Sequence, residues 1–439
     1  MADCTLAGLE FSPLKRRVLE VDFSGGEVSS DGGLLLVREV DRRLKLTERA
    51  AAVLHDPRDP ELITHRQLDM LRQRVYAIVQ GYEDLNDHTQ LRRDTLLQSM
   101  LDRDTPLASA PTLCRLENRA SRAAAWALHA QLVETFIASF DCPPEELVLD
   151  FDATDDPLHG KQEERFFHGY YDSYCFLPLY VFCGEQLLVS YLRPSKIDGA
   201  KHAWAVLALL VRRLRQAWPE VRIVLRADSG FCRRRMLAWC ERHQVGYCVG
   251  LARNVRLQRQ CQRWHAHLAE QFAFTGAKQR AFFEFRYAAK TWGIERRVIA
   301  RLEYGEQGEN PRFIVTNLPG EPAQLYDELY CRRGEAENRI KEAQLGLFAD
   351  RTSCHYFAAN QFRLLLSSLA YVLVERLRAL GLSGTEFARA QASTLRTKLL
   401  KIGAVIVRNT RRVRVMLSSA FPYAEIFACA AHPRLARLH

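Results

Sequence analysis

The 439-residue chain has room for about three domains, and its 48% hydrophobic and 26% charged residues are those expected of a soluble globular protein. No run of 18 apolar residues predicts a membrane span, no basic-then-apolar leader predicts secretion, and none of the 12 cysteines forms the C-x-x-C pair of a zinc site. A net charge of +10 and a pI near 9.1 point to a polyanionic partner, most often nucleic acid.

Residues 1–140 are expected to be mostly helical and to bind DNA. Ser24-Gly25-Gly26 and Ser30-Asp31-Gly32-Gly33 are turn signals ahead of a helix from Leu34 to Leu44. Leu68, Leu71, Val75, Ile78 and Val79 recur at helical spacing, with Gly81 placed as a C-cap. Further helices are expected from Asp87 to Leu101 and from Pro111 to Phe140. The last carries Arg115, Arg119 and Arg122 near its start, which suits the reading helix of a helix-turn-helix module as well as it suits a plain bundle.

From Cys142-Pro143-Pro144 the character changes, and residues 141–255 predict an α/β core. Leu147 to Phe151 is an apolar strand ending in Asp150, Asp152, Asp155 and Asp156. Strands at 175–183 and 186–192, a helix at 201–217 and a strand at 221–227 follow. That last strand runs into Asp228-Ser229-Gly230, and a helix and a further strand complete the passage. Residues 256–318 alternate at Phe283, Phe285 and Tyr287 and again from Val298 to Tyr304, which predicts an antiparallel β insertion. Residues 319–385 return to helices and resume the core. Residues 386–439 form a basic region, expected to be helical: from Gln391 onward nine lysines and arginines, among them Arg411, Arg412 and Arg414, stand against Glu425 alone.

Read as a helix, Tyr330, Arg333, Glu337, Lys341 and Gln344 fall on one face, with Glu335 and Glu342 on the other. A phenol, a guanidinium, a carboxylate and an ammonium in a row fit neither a core face nor an ordinary solvated one. Asp152 and Asp228 each end an apolar strand. Three carboxylates delivered from two strand ends and a helix suit two hard divalent cations, Mg²⁺ or Mn²⁺, about 3.5–4 Å apart, the arrangement that cleaves phosphodiesters.

The stretches LVLDFDATDDPLHGKQE, RADSGF and YCRRGEAENRIKE, with GYEDLNDHTQLRRD and LASAPTLCRLEN upstream, resemble the acidic-triad (DDE) transposases of bacterial insertion sequences, in particular the group numbered thirteen-eighty. The resemblance covers nearly the whole chain. It implies a ribonuclease-H-like core with a β insertion between the second Asp and the Glu, and the 109 residues from Asp228 to Glu337 independently require an insert. It makes Asp152, Asp228 and Glu337 the catalytic, metal-holding acids, with Asp150 a rival for the first position. It gives Tyr330, Arg333 and a lysine the phosphate contacts. The lysine should stand at 344, which is Gln344 here, so Lys341 is the candidate. An aromatic in the insert is implied to stack an unpaired base at a hairpin; Trp292 is the candidate, with packing of the small sheet as the alternative. The implied activity is binding of terminal inverted repeats, metal-dependent cutting and joining of the 3′-OH to target DNA. The implied partners are double-stranded DNA and a second copy of the chain, in the cytoplasm of a bacterium. A two-metal nuclease without strand transfer and a non-catalytic DNA binder are the alternatives.

Overall fold

The computed structural model describes residues 9–431. Among these the chain divides into two compact units. One is built from 9–45, 58–115 and 376–431, and the other from 46–57 and 116–375.

The first unit joins residues from both ends of the chain. Its helices Leu34–Leu44 and Gln67–Gln80 match the expected ones, and Gly81 closes the second in the left-handed region (φ +95°), where only glycine is unstrained. The helix expected from Asp87 to Leu101 is broken. Asp94 accepts the Leu97 N–H at 2.7 Å and so starts a new helix, Thr95–Met100. Ser121 does the same to the long helix expected from Pro111, dividing it into Ala110–Asn118 and Arg122–Ile137.

The expectation of a helical basic tail holds for residues 392–400 and 424–431 and is corrected between them. Ala404–Asn409 and Arg412–Leu417 form an antiparallel hairpin that pairs with Val28–Ser29. The cause is period-two alternation: Ala404 and Ile406 are buried, β-branched Val405 and Val407 are exposed, and Asn409 makes the turn by accepting the N–H groups of Arg411 and Arg412. Several of the tail's cations are spent inside the unit. Arg396 donates to the Ile78 and Val79 carbonyls, Lys401 pairs with Asp31 at 2.6 Å, and Arg408 reaches Gln98. Arg411, Arg412 and Arg414 remain exposed. Arg434 and Arg437 lie outside the described residues.

The second unit is organised on a nine-stranded sheet. In chain order its main elements are β1 (Glu146–Ala153), β2 (Leu179–Cys183), β3 (Gln186–Tyr191), α1 (Ala203–Ala217), β4 (Arg222–Ala227), α2 (Arg234–Arg242), β5 (Gly246–Leu251), α3 (Val255–Thr275), β6 (Gln279–Tyr287), β7 (Arg296–Gly305), β8 (Arg312–Thr316), α4 (Arg333–Lys341) and α5 (Phe357–Arg376). The strand order is β6-β7-β8-β5-β4-β1-β2-β3, and the ninth strand, the two-residue Gly308–Glu309, pairs with β7 off this path. β1, β4 and β5 are parallel; the β1–β2, β2–β3, β5–β8, β8–β7 and β7–β6 pairs are antiparallel.

The region expected as a β insertion therefore differs in two ways. Residues 255–275 are a long helix, and the strands after it are not a separate sheet but extend the core sheet beyond β5. Leu257, Cys261, His265 and Leu268, at steps of four, four and three, form the buried stripe of α3.

Strand alternation sorts the layers. Leu149 and Phe151 of β1 belong to the large core cluster with α1, α2 and α3, so Asp150 and Asp152 point to the other face. On that other face, Cys248, Ile299 and Ile314 pack with Leu325 and Tyr326, just ahead of α4. α5 docks alongside: Tyr371 meets Phe182 edge-on, and Gln361 and Ser368 bond to Ser190. The stretch Phe357–Gly381 is long and apolar enough to cross a membrane, but 89% of its apolar window is buried inside the protein.

Candidate active site

β1 and β4 lie side by side in parallel register, with Asp150 opposite Arg226 and Phe151 opposite Ala227. One step further, the same register brings Asp152 and Asp228 to neighbouring strand ends. Beneath them Asp150 and Arg226 form a buried bidentate pair, at 2.5 and 2.7 Å. Arg226 also donates to the Leu329 carbonyl at 2.7 Å, just before α4. Burial pushes the Asp150 carboxyl up and Arg226 pulls it back, with burial the larger effect. Arg226 thus occupies Asp150, while Asp152 is left facing the other acids. Arg226 was not singled out in the sequence, although its position two residues before Asp228, like that of Asp150 before Asp152, is the signal for it.

Asp228 starts a short 3₁₀ turn by accepting the Gly230 N–H at 2.9 Å. The turn sits against Gly250 at the end of β5. A Cβ on Gly250 would stand 2.6 Å from the Tyr330 hydroxyl and 2.8 Å from the Ser229 nitrogen, so glycine is what allows β5, the Asp228 turn and Tyr330 to close together.

Arg333 and Glu337, four residues apart on α4, pair at 2.6 Å, and the same Arg333 nitrogen lies 4.0 Å from Asp152. Burial pushes the Asp152 carboxyl up to about 7; Arg333 opposes this, and the charges of Asp228 and Glu337 add to it. Burial likewise raises the Tyr330 phenol, with Arg333 opposing and Asp228 adding. The five half-buried residues Asp152, Asp228, Tyr330, Arg333 and Glu337 are therefore gathered at one place, at the ends of two central strands of the sheet.

Lys341 is exposed and, among the described residues, has no acidic partner. Gln344 donates to the Asp155 carbonyl at 3.1 Å, which ties the end of the helical segment to the loop after β1. Glu335 is exposed and approaches Arg339, not Arg333. π-Helical turns, Leu325–Tyr330 and Glu342–Gly346, stand before and directly after α4.

Trp292 is buried. Tyr287 meets it edge-on at 5.7 Å and the Arg296 guanidinium lies 5.0 Å from its centroid, so in this arrangement the ring packs against the sheet. Arg119 pairs with Asp56 at 2.9 Å. Arg115 is exposed and donates to Thr112. A further group near the acids was not anticipated. The small sheet Asp156–Pro157, Phe166–His168 and Ser173–Phe176 follows β1 directly, and its Tyr171 phenol is raised to about 12 by burial and by the charges of Asp155 and Asp152. The sheet is held by Thr352, which donates to Asp156 at 2.9 Å.

The donor chemistry at this place fits a hard divalent cation. Asp152, Asp228 and Glu337 offer carboxylate oxygens, and two of them raise the proton affinity of the third, the sign of negative charge in excess. Among the described residues no three acids, histidines or cysteines are drawn tightly enough to form a ready-made cation site. Instead the Arg333 guanidinium stands between Glu337 and Asp152 as their counter-charge.

A strand-end acid pair thus faces a helix that carries a glutamate and an arginine. The model of the family described as transposase DDE domain group 1 matches residues 11–439, and the chain belongs to that family. Among solved structures, the cryo-EM structure of the piggyBac transposase synaptic complex with hairpin DNA is similar at 9% identity and a TM-score of 0.39, over 85% of this chain and 80% of that one. No curated protein matches.

Two outcomes follow from the geometry. Arg226→Met leaves Asp150 buried without a counter-charge and frees the Leu329 carbonyl; unfolding in denaturant should show a loss of about 3–5 kcal/mol. The second concerns pH. A carboxyl held up to about 7 keeps a proton that the unfolded chain releases near 4, so its stabilising contribution is full below about 4 and is lost as pH rises through 7. In metal-free protein, Asp152→Asn should raise the melting temperature at pH 8 and leave it nearly unchanged at pH 4. A calorimetric gain that did not grow with pH would contradict this.

Proposed function

We propose that the chain is the transposase of a bacterial insertion sequence, of the group numbered thirteen-eighty. It would bind the terminal inverted repeats as a dimer in the cytoplasm, cut the ends and join the freed 3′-OH to target DNA. The observation that carries the reading is the convergence of Asp152 and Asp228, from adjacent parallel strands, with Glu337 on a helix whose Arg333 reaches toward both Asp152 and Glu337. The order β3-β2-β1-β4-β5, antiparallel in its first three strands and parallel from β1 on, supports a ribonuclease-H-like core for this chemistry.

Asp152, Asp228 and Glu337 would hold Mg²⁺ or Mn²⁺, two ions per site. When bound, the ions supply the Lewis acidity that activates an attacking oxygen and stabilises a leaving one. The protein's own groups do the rest. Arg333 gives up Glu337 and turns its planar fork to a backbone phosphate. Tyr330, closed against Gly250 and the Asp228 turn, donates its hydroxyl to a neighbouring phosphate. Lys341, exposed and without an acidic partner among the described residues, adds a point charge further along the strand. Arg115 on Ala110–Asn118 is free to read base edges in the repeats, whereas Arg119 is held by Asp56 and serves the fold first.

The acids are separable from binding. Asp228→Asn and Glu337→Gln keep side-chain volume and remove one negative charge each. Both variants should bind end-sequence DNA at wild-type affinity or slightly better, and neither should nick or join DNA in Mg²⁺. Glu335→Gln, which approaches Arg339, should cut normally. A cutting Glu337→Gln variant would remove Glu337 from the site. Nicking without joining by the wild type would make the chain a nuclease of the same architecture.

The hairpin arginines are proposed to hold phosphates without reading sequence. Replacing Arg411, Arg412 and Arg414 by Ala should weaken binding to every duplex alike and reduce the slope of log K against log salt by roughly 2–3. Filter binding at four salt concentrations measures it, and an unchanged slope would assign the hairpin another role.

A further inference from the structure

We propose that the outward face of α3 holds a second stretch of duplex DNA, apart from the one whose phosphodiester reaches the acids. The inference rests on the DNA-cutting function above and adds a surface to it.

The chain contains no Asp or Glu from Arg242 to Ala269, and over that stretch it carries Arg242, Arg253, Arg256, Arg259 and Arg263. Burial of Leu257, Cys261, His265 and Leu268 against β7 fixes how α3 is rotated. Arg256, Arg259 and Arg263 then lie within about 60° of arc on the side away from the core. All three are exposed. Among the described residues none of them enters an ion pair, and neither do Arg253, three residues before Arg256, and Arg286 across the cleft. The contrast with the adjoining strand is sharp: on β7, Arg296 pairs with Glu241, Arg297 with Glu284 and Arg301 with Glu303. Cations on β7 are consumed by the fold, and those on α3 are left for a partner.

The surface has shape as well as charge. Arg256, Arg259 and Gln260 face Arg286 and Tyr287 across an open cleft of about 370 Å³, in which Glu295 is the one acid. Guanidinium groups and an amide around an open cleft suit phosphate oxygens. They do not suit an acid-poor or apolar protein surface. Arg256 to Arg263 spans about 10 Å of the helix, the length of roughly three base-pair steps, and exposed Glu270 bounds the basic stretch further along the same face.

Position separates this surface from the reacting DNA. Val298, Ala300 and Leu302 of β7 pack under α3, whereas Ile299 and Ile314 face Tyr326 on the opposite side, the side of Asp150, Asp152 and α4. Strands β8 and β5 also stand between β7 and β4, a lateral distance of about 14 Å. A straight duplex laid on the acids does not reach the outer face of α3. What α3 holds is therefore a more distant part of the same duplex, bent to reach it.

The test uses the full chain with Arg256, Arg259 and Arg263 changed together to Ala, and a second variant with all three changed to Lys. Binding is measured on duplexes of about 15 to 80 base pairs carrying an end sequence, at several salt concentrations, beside Mg²⁺-dependent nicking of the shortest. The Ala variant should lose about tenfold in affinity on the long duplex, with a salt slope smaller by about 2–3. It should bind and nick the short duplex as the wild type does, and the Lys variant should regain the long-duplex affinity. Unchanged affinity and slope on long DNA would overturn the inference while leaving the proposed function standing. Equal losses on short and long duplexes would also overturn it, by placing these arginines on the reacting DNA. A shift in sedimentation without a change in DNA affinity would make the face a protein contact instead. A wild-type chain that bound no DNA would sink the proposed function first.

Discussion

One buried guanidinium ties the candidate active site together. Arg226 forks onto Asp150 across the β1–β4 pair and donates its remaining nitrogen to the Leu329 carbonyl. Those three contacts reach the strand of Asp152, the strand of Asp228 and the segment that leads into the helix of Glu337. Each acid comes from a different part of the chain, separated by 76 residues in one case and 109 in the other. Without a shared anchor, their relative positions would depend on three independent packings. A hydrophobic residue at 226 could fill the volume but could not fix direction, because apolar contact is not directional.

The site above this anchor is electrostatically unfinished. Carboxylates repel one another, and the upward push on Asp152 registers that repulsion together with burial. The fold answers with one cation on a helix, Arg333, shared between Glu337 and Asp152, rather than with a second bidentate pair like the one below. A fixed pair would satisfy the acids permanently and leave no affinity for an added ion. A long side chain on a half-exposed helix face can stand in the gap and then leave it. The layer at Asp150 is therefore closed by a bidentate pair and the layer at Asp152 only loosely neutralised, though the two lie only two residues apart on one strand.

Much of this was legible in the sequence, and the failures have physical causes. The helix from Leu34 to Leu44, the Gly81 cap and the acid-bearing strands rest on periodicity or on short polar punctuation, which are local signals, whereas the grouping of Asp152, Asp228, Tyr330, Arg333 and Glu337 came from the resemblance to acidic-triad transposases. The breaks at Asp94 and Ser121 were equally local but competed with continuous helical spacing on both sides. α3 was missed because its stripe of Leu257, Cys261, His265 and Leu268 is thin and mixed, set in a run of Gln and Arg. The hairpin at 404–417 was missed because its charge drew attention away from its alternation. Trp292 was placed in a turn by local pattern, whereas its burial against Tyr287 and Arg296 depends on partners that only the folded sheet brings together. The family match settles membership among DDE transposases independently of these details.

The π turns around α4 bear on how such sites are compared between proteins. A π turn holds more residues than an α turn, so within it sequence distance and angular position no longer keep step. Glu337 and Lys341 both lie in regular helix, and counting in fours relates them correctly. Position 344 lies inside the second π turn, where Gln344 bridges back to the loop after β1. A motif written as a fixed number of residues after the glutamate therefore names a place in the chain, not a direction in space. Two relatives can share the same three-dimensional phosphate contact while their alignments disagree by a turn, and an apparent gap in the motif need not be a gap in the chemistry.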